Sequence, residues 1–233
     1  MSEQPDELVM RVRAELATAG DPDAAPAMRA YVKSVLPLYG VRLPQVRTIV
    51  RAAVRDAGVS DTGPGIETLA AAARELFDHA THREERYAAL ALLALPPARG
   101  KLELLPLHQH FASAGAWWDL VDETAHRIAD LHDIHPVETA VAVRRWSVEN
   151  DMWLRRLAII SQLGRKDRLD PVLLGEVIEA NLSDREFFIR KAIGWALREY
   201  AKVRPEWVRG FVTAHGGSLS PLSRREALKH LGG

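Results

Sequence analysis

Residues Trp153–Leu163 read WLRRLAIISQL. Apolar side chains at Leu154, Leu157, Ala158, Ile160 and Leu163 follow the spacing of a helix with one apolar face, not the alternation of a strand. Within the stretch, Arg156-Leu-Ala158 is an R-x-A step with a leucine, Leu163, seven residues after the arginine. The same step recurs on both sides: Arg190-Lys-Ala192 with Leu197, Arg86-Tyr-Ala88 with Leu93, and then Arg51-Ala-Ala53 and Arg225-Glu-Ala227. The arginines are 35, 70, 34 and 35 residues apart. The interval of 70 is two units, so one repeat has its key position near 121 or 122, and Asp122 stands there.

A period near 35 with two helices per unit indicates an α-solenoid, in which each repeat buries its apolar face against its neighbours. Tetratricopeptide repeats share the period, but their W-x2-L-G-x2-Y signature is missing. HEAT-like pairs fit better. The expectation is an all-α chain of about six two-helix units with a concave groove. Helix starts support it: Asp170-Pro171 and Ser220-Pro221 put a cap residue before a first-turn proline, and His135-Pro136 and Arg204-Pro205 mark two more. Ser183 and Glu186 have the S-x-x-E form of a capping box. The one stretch with linker chemistry is Gly58–Gly65, GVSDTGPG, and residues 1–233 are expected to form a single domain.

The 233 residues are 47% hydrophobic and 27% charged, which excludes wholesale disorder. No run of 18 uncharged apolar residues exists, so no membrane span is expected. MSEQPDELVM has no apolar h-region, so a cytoplasmic protein without a secretory leader is expected. With no cysteine there are no disulfides and no thiolate zinc site. Formal charge is zero, which taken alone argues against nucleic acid. The average hides a gradient: residues 117–143 carry −5 and residues 144–233 carry +6. That leaves room for a local basic surface in the later repeats.

If second helices line one wall, Arg86, Asp122, Arg156 and Arg190 form a ladder along it. Such a ladder has two readings: ion pairs that tie stacked helices, or the floor of a site. Trp118 and Asp122 are i and i+4 and share a helix face, and Trp195 lies one turn beyond Arg190. An acid flanked by two indoles and an arginine suits a cationic ligand, since carboxylates and indole faces both attract positive charge. Trp117 and Trp153 are expected in the core. His79/His82, His108/His110 and His132/His135 have metal-like spacings, but no third ligand recurs in register, so no metal is expected. No P-loop, dinucleotide fingerprint or nucleophile elbow is present.

At these residues the chain resembles a known family. Ala116-Trp-Trp-Asp-Leu-Val-Asp122 is similar to the W-W-D-x-V-D motif of the HEAT-like-repeat DNA alkylation repair enzymes, the AlkD-like DNA glycosylases. Further matches are Trp153-Leu-Arg-Arg156, Glu186–Tyr200 (EFFIRKAIGWALREY), Leu219–Ala227 (LSPLSRREA), and Met28–Lys33 with Pro37–Gly40. The resemblance runs the length of the chain. It implies hydrolysis of the N-glycosidic bond of N3- or N7-alkylated purines such as 3-methyladenine, 7-methylguanine and bulkier adducts. The substrate would be duplex DNA, with no cofactor and no base flipped into a pocket. By the family pattern Asp122 is the catalytic carboxylate, Trp118 and Trp195 flank the lesion's sugar, and Arg156 and Tyr31 contact DNA.

Among the basic residues of the later repeats, Arg155, Arg190, Lys191, Arg198 and Lys202 are candidates for phosphate contacts. No lysine is in phase with Asp122, so an abasic site and a free base are the expected products, with no lyase step. A monomer is expected. The competing readings are a HEAT-like protein scaffold and a non-catalytic binder of branched or damaged DNA.

Overall fold

The computed structural model describes residues 3–59 and 63–231. Residues 60–62, in the middle of the GVSDTGPG stretch, lie outside the described residues. Thirteen α-helices account for most of the rest, and no strand occurs among the described residues. They are α1 (Glu3–Thr18), α2 (Ala25–Val32), α3 (Leu43–Asp56), α4 (Gly63–Asp78), α5 (Arg83–Leu92), α6 (Leu105–Gly115) and α7 (Trp118–Ile134). There follow α8 (Pro136–Trp146), α9 (Met152–Ile160), α10 (Pro171–Glu179), α11 (Phe187–Ala201), α12 (Pro205–Ala214) and α13 (Pro221–Leu228).

The repeat read from the sequence falls on alternate helices. Arg51, Arg86, Asp122, Arg156, Arg190 and Arg225 lie in α3, α5, α7, α9, α11 and α13, each preceded by the other helix of its pair. Six pairs follow α1, and the leucines seven residues after three of these arginines, Leu93, Leu163 and Leu197, are all buried. The chain divides into two compact units, Met1–Leu107 and His108–Gly233. In the first, α1 packs on α3 and α4, and α5 packs on α3 and α4. In the second, α7, α9, α11 and α13 pack in succession, with α8, α10 and α12 against their neighbours. No helix among the described residues is long and apolar enough to cross a membrane.

Helix starts follow the cap chemistry at several places. Asp170 Oδ1 accepts from the backbone N–H of Val172 and Leu173, Ser220 Oγ from Ser223, and Asp151 Oδ1 from Trp153, each satisfying an orphan first-turn donor. Pro136, Pro171, Pro205 and Pro221 each open a helix. The Ser183/Glu186 box does not form: α11 begins only at Phe187, with Glu186 as its cap residue. Asp184 has taken over the loop instead, its Oδ1 accepting from the Glu186 N–H and its Oδ2 from Arg155.

Candidate active site

The candidate site lies wholly in the second unit. The chain enters α7 through Ala116, whose φ of 42° is unusual for a residue with a Cβ, and then through extended Trp117. Trp118 is therefore the first residue of α7, and Asp122 follows one turn later on the same face. Arg156 from α9 reaches across to Asp122. Its Nε donates to Oδ1 and its Nη2 to Oδ2, both at 2.9 Å, a fork-to-fork pair. Arg156 Nη1 donates to the Phe188 carbonyl at 2.8 Å, so the guanidinium also joins α9 to α11. Arg156 is 4% exposed and the Asp122 side chain 18%.

Trp118, Asp122, Arg156 and Trp195 line one cleft of about 320 Å³, which Phe187, Phe188, Lys191 and Arg198 complete. Trp117 and Trp153 stand behind it. Their rings meet Phe188 at centroid distances of 5.5 and 5.1 Å, an aromatic floor that fixes the backbone to which Arg156 bonds. Burial pushes the Asp122 carboxyl up; Arg156 pulls it back and Asp119 adds to the rise, leaving it at about 6. At neutral pH the group is mostly a carboxylate. Each oxygen accepts one bond from Arg156 and keeps lone-pair capacity for a second partner.

The other nominated cations separate. Lys191 and Arg198 reach the cleft, both against the Glu226 carboxylate of α13: Lys191 Nζ is 2.9 Å from Oε1, and Arg198 bonds Oε2. Arg155 is committed elsewhere, to Asp184 at 2.9 Å and to the carbonyls of Glu149 and Asn150. Arg190 Nε donates to the Asp184 carbonyl at 3.0 Å, so these two arginines tie down the turn before α11. Lys202 bonds Glu199 at 2.7 Å and borders a separate recess of about 160 Å³ with Tyr200 and Leu163. Tyr31, in α2 of the first unit, is 74% exposed. No lysine is expected in phase with Asp122; Lys191, out of that phase, lines the same cleft from α11.

Sequence reading missed Phe187, Phe188 and Glu226. The two phenylalanines sit inside the EFFIRK block and the glutamate inside the SRREA block, but nothing in a helical array marks an apolar residue as lining a cleft or an acid as meeting two of its cations. Two of the histidine pairs each send one member into the core. His108 and His132 are buried, and burial holds their pKa values near 3 and near 4, each helped by an arginine, Arg127 and Arg165. His82 stacks on Tyr39. No group of three candidate ligands that could hold a metal ion occurs among the described residues.

Comparison with known proteins places nearly the whole chain in a family. The model of a family described as DNA alkylation repair enzyme matches residues 12–231. A solved structure described as a predicted DNA alkylation repair enzyme from Enterococcus faecalis is similar at 30% identity and a TM-score of 0.79, over 91% of this chain and 96% of that one. No curated protein matches. With a family model spanning nearly all of its length and both of its compact units, the chain belongs to the family of DNA alkylation repair enzymes, the AlkD-like proteins.

Proposed function

We propose that the protein is a monofunctional DNA glycosylase that hydrolyses the N-glycosidic bond of N3- and N7-alkylated purines in duplex DNA, working as a monomer in the cytoplasm without a cofactor. The observation that carries this reading is the Asp122 carboxylate. It is held at one edge by Arg156 and lines a cleft between two indoles, Trp118 and Trp195.

Alkylation at N7 or N3 makes the purine a cation, so the base leaves as a neutral molecule and needs no general acid. As the C1′–N bond breaks, its electron pair goes to the base and positive charge develops on the deoxyribose as an oxocarbenium ion. A fixed carboxylate beside C1′ stabilises that charge and orients the water that attacks C1′, taking a proton from it. Indole faces strengthen the same electrostatic effect. Arg156 keeps the carboxylate ionised and aimed. The products are an abasic sugar and a free base. Lys191 Nζ is held 2.9 Å from the Glu226 carboxylate rather than by Asp122, so no lyase step is assigned to it.

The other reading, a DNA binder without chemistry, draws support from one feature. A bidentate Arg–Asp pair bridging α7, α9 and α11 is also what a purely structural ladder looks like. The deciding experiment is release of free base from a duplex carrying one N7-methylguanine, with wild type and Asp122→Asn side by side. Release by wild type and its loss in the variant supports the assignment. Release that survives the substitution overturns the role of Asp122. No release from wild type that binds the duplex favours the binding protein.

A further inference from the structure

Lys191, Trp195 and Arg198 occupy positions i, i+4 and i+7 of α11 and so share one face, with a cation one turn on either side of the indole. Both cations converge on a single carboxylate, Glu226, which is 12% exposed. Three features of α13 put that carboxylate there. Ser220 caps the helix and fixes its start. The Ser223 hydroxyl donates to the Arg190 carbonyl at 2.8 Å, docking α13 on α11. Gly194 permits the approach, since a Cβ there would lie 2.6 Å from the Glu226 Cβ and 3.0 Å from the Ser223 carbonyl oxygen. The hydrogen bond from Lys191 holds the Glu226 carboxyl below the ordinary glutamate range, so it is ionised at neutral pH.

We propose that Glu226 is a positioning residue, which fixes Lys191 and Arg198 on either side of Trp195 as a preformed phosphate clamp and keeps both cations off Asp122. The inference rests on the glycosylase reading and deepens it. Long basic side chains lose rotamer freedom when they grip a phosphate, and a carboxylate that has already ordered them removes that cost from DNA binding. One carboxylate under two cations leaves one net positive charge for the strand. Without Glu226, the released side chains of Lys191 and Arg198 are drawn to the carboxylate that lines the cleft, Asp122, in surroundings less polar than water. A second cation on Asp122 cancels the field that the developing oxocarbenium ion needs.

The test uses the full chain and two measurements: binding to undamaged duplex across a salt series, and single-turnover base release from an N7-methylguanine duplex at saturating enzyme. Glu226→Gln raises the net charge beside Trp195 by one, so binding to undamaged duplex is expected to show a log–log salt slope steeper by about one unit. Its base release is expected to be about tenfold slower. Adding Lys191→Met to Glu226→Gln restores part of the rate, because the stray ammonium is gone; a purely structural loss would make the double variant slower still. Unchanged slope and rate in Glu226→Gln, or a double variant slower than the single, overturns the proposal. Should Glu226→Gln not fold, Glu226→Asp carries the test. It keeps the charge but is one methylene too short for both cations, so a wild-type slope with slower release is expected, and a wild-type rate overturns the proposal. If wild type itself releases no base, the glycosylase reading fails. The clamp is then judged on the salt slope alone: steeper in Glu226→Gln supports it, unchanged overturns it.

Discussion

Each compact unit buries acids, and Glu84 and Glu85 of the first are treated in the opposite way to Asp122 of the second. In the first unit Glu84 is fully buried and accepts three backbone N–H groups, from Tyr39, Gly40 and Val41, at 2.9–3.1 Å. Beside it Glu85 accepts from Arg13, from the hydroxyls of Thr81 and Tyr39, and from the His82 N–H. Burial alone would raise the Glu85 pKa, but the hydrogen bonds from Thr81 and Arg13 outweigh it and hold the group below the usual range. In the second unit Asp122 has Arg156 as its partner, and burial wins, leaving it at about 6. An acid met by three or more donors of its own fold is structural. One left short of partners at the edge of a cleft holds capacity for something the chain does not contain.

The sharpest way to break this contrast is to neutralise both kinds of acid. Asp122→Asn is expected to lower the single-turnover rate of base release by about a thousandfold, the scale of losing a preorganised charge beside the reacting centre. Glu85→Gln should leave the rate per folded molecule within about twofold of wild type. Equal losses in the two variants would erase the distinction.

Stability should reverse the ranking. Glu84→Gln puts an amide, half of it donor, where three N–H groups converge, and is expected to cost about 3 kcal/mol in urea unfolding with activity per folded molecule intact. A cost under about 1 kcal/mol would mean that the turn at Tyr39–Val41 does not depend on that carboxylate.

The contrast also shows what a bare sequence discloses. The repeat was legible because burial imposes a period: the R-x-A steps fall on α3, α5, α9, α11 and α13, and the gap in the series pointed to Asp122 in α7. The Trp118–Asp122–Trp195 set was legible because helical phase carries across one or two turns. The fate of a charge was not. Arg155 and Arg190 look like phosphate ligands in the sequence, yet each is tied to the turn before α11, through partners a few to some thirty residues distant. Glu84 gave no signal because its three backbone partners lie 43 to 45 residues back, and the Glu85 ion pair with Arg13 spans 72 residues. Periodicity reports which way a residue faces, not what meets it there.

Titration sharpens the comparison further. If ionised Asp122 is the working form, base release should fall about tenfold per pH unit below about 6 and level off above it. Arg156→Gln removes an interaction that lowers this pKa, so the midpoint should move up. Stability runs in opposite senses for the two acids. Asp122, with its folded pKa raised from 3.8, contributes stability that is complete below 3.8 and is lost as pH rises through about 6. Glu85, with its folded pKa lowered from 4.5, contributes stability that is present above 4.5 and lost as pH falls through the folded value. Urea midpoints across pH 3–7 should therefore show wild type losing ground to Asp122→Asn as pH rises, and gaining on Glu85→Gln.

The smallest effect belongs to an acid that is paired but not buried. Glu176 bonds Arg144 at 2.7 Å between α10 and α8, the same spacing class as the Arg156–Asp122 pair, yet the two side chains are 44% and 47% exposed. Water solvates both charges before and after the pair forms, so the Coulomb gain is screened and partly offset by the entropy of holding two long side chains. Glu176→Gln should change unfolding stability by about 0.5 kcal/mol or less, with base release and its pH midpoint at wild-type values. This variant isolates burial from ion pairing. If it matched Glu84→Gln in stability, or moved the pH profile as Arg156→Gln does, the pairing itself would be the operative feature. If it does neither, what separates Asp122 from the other acids is a desolvated carboxylate with too few partners.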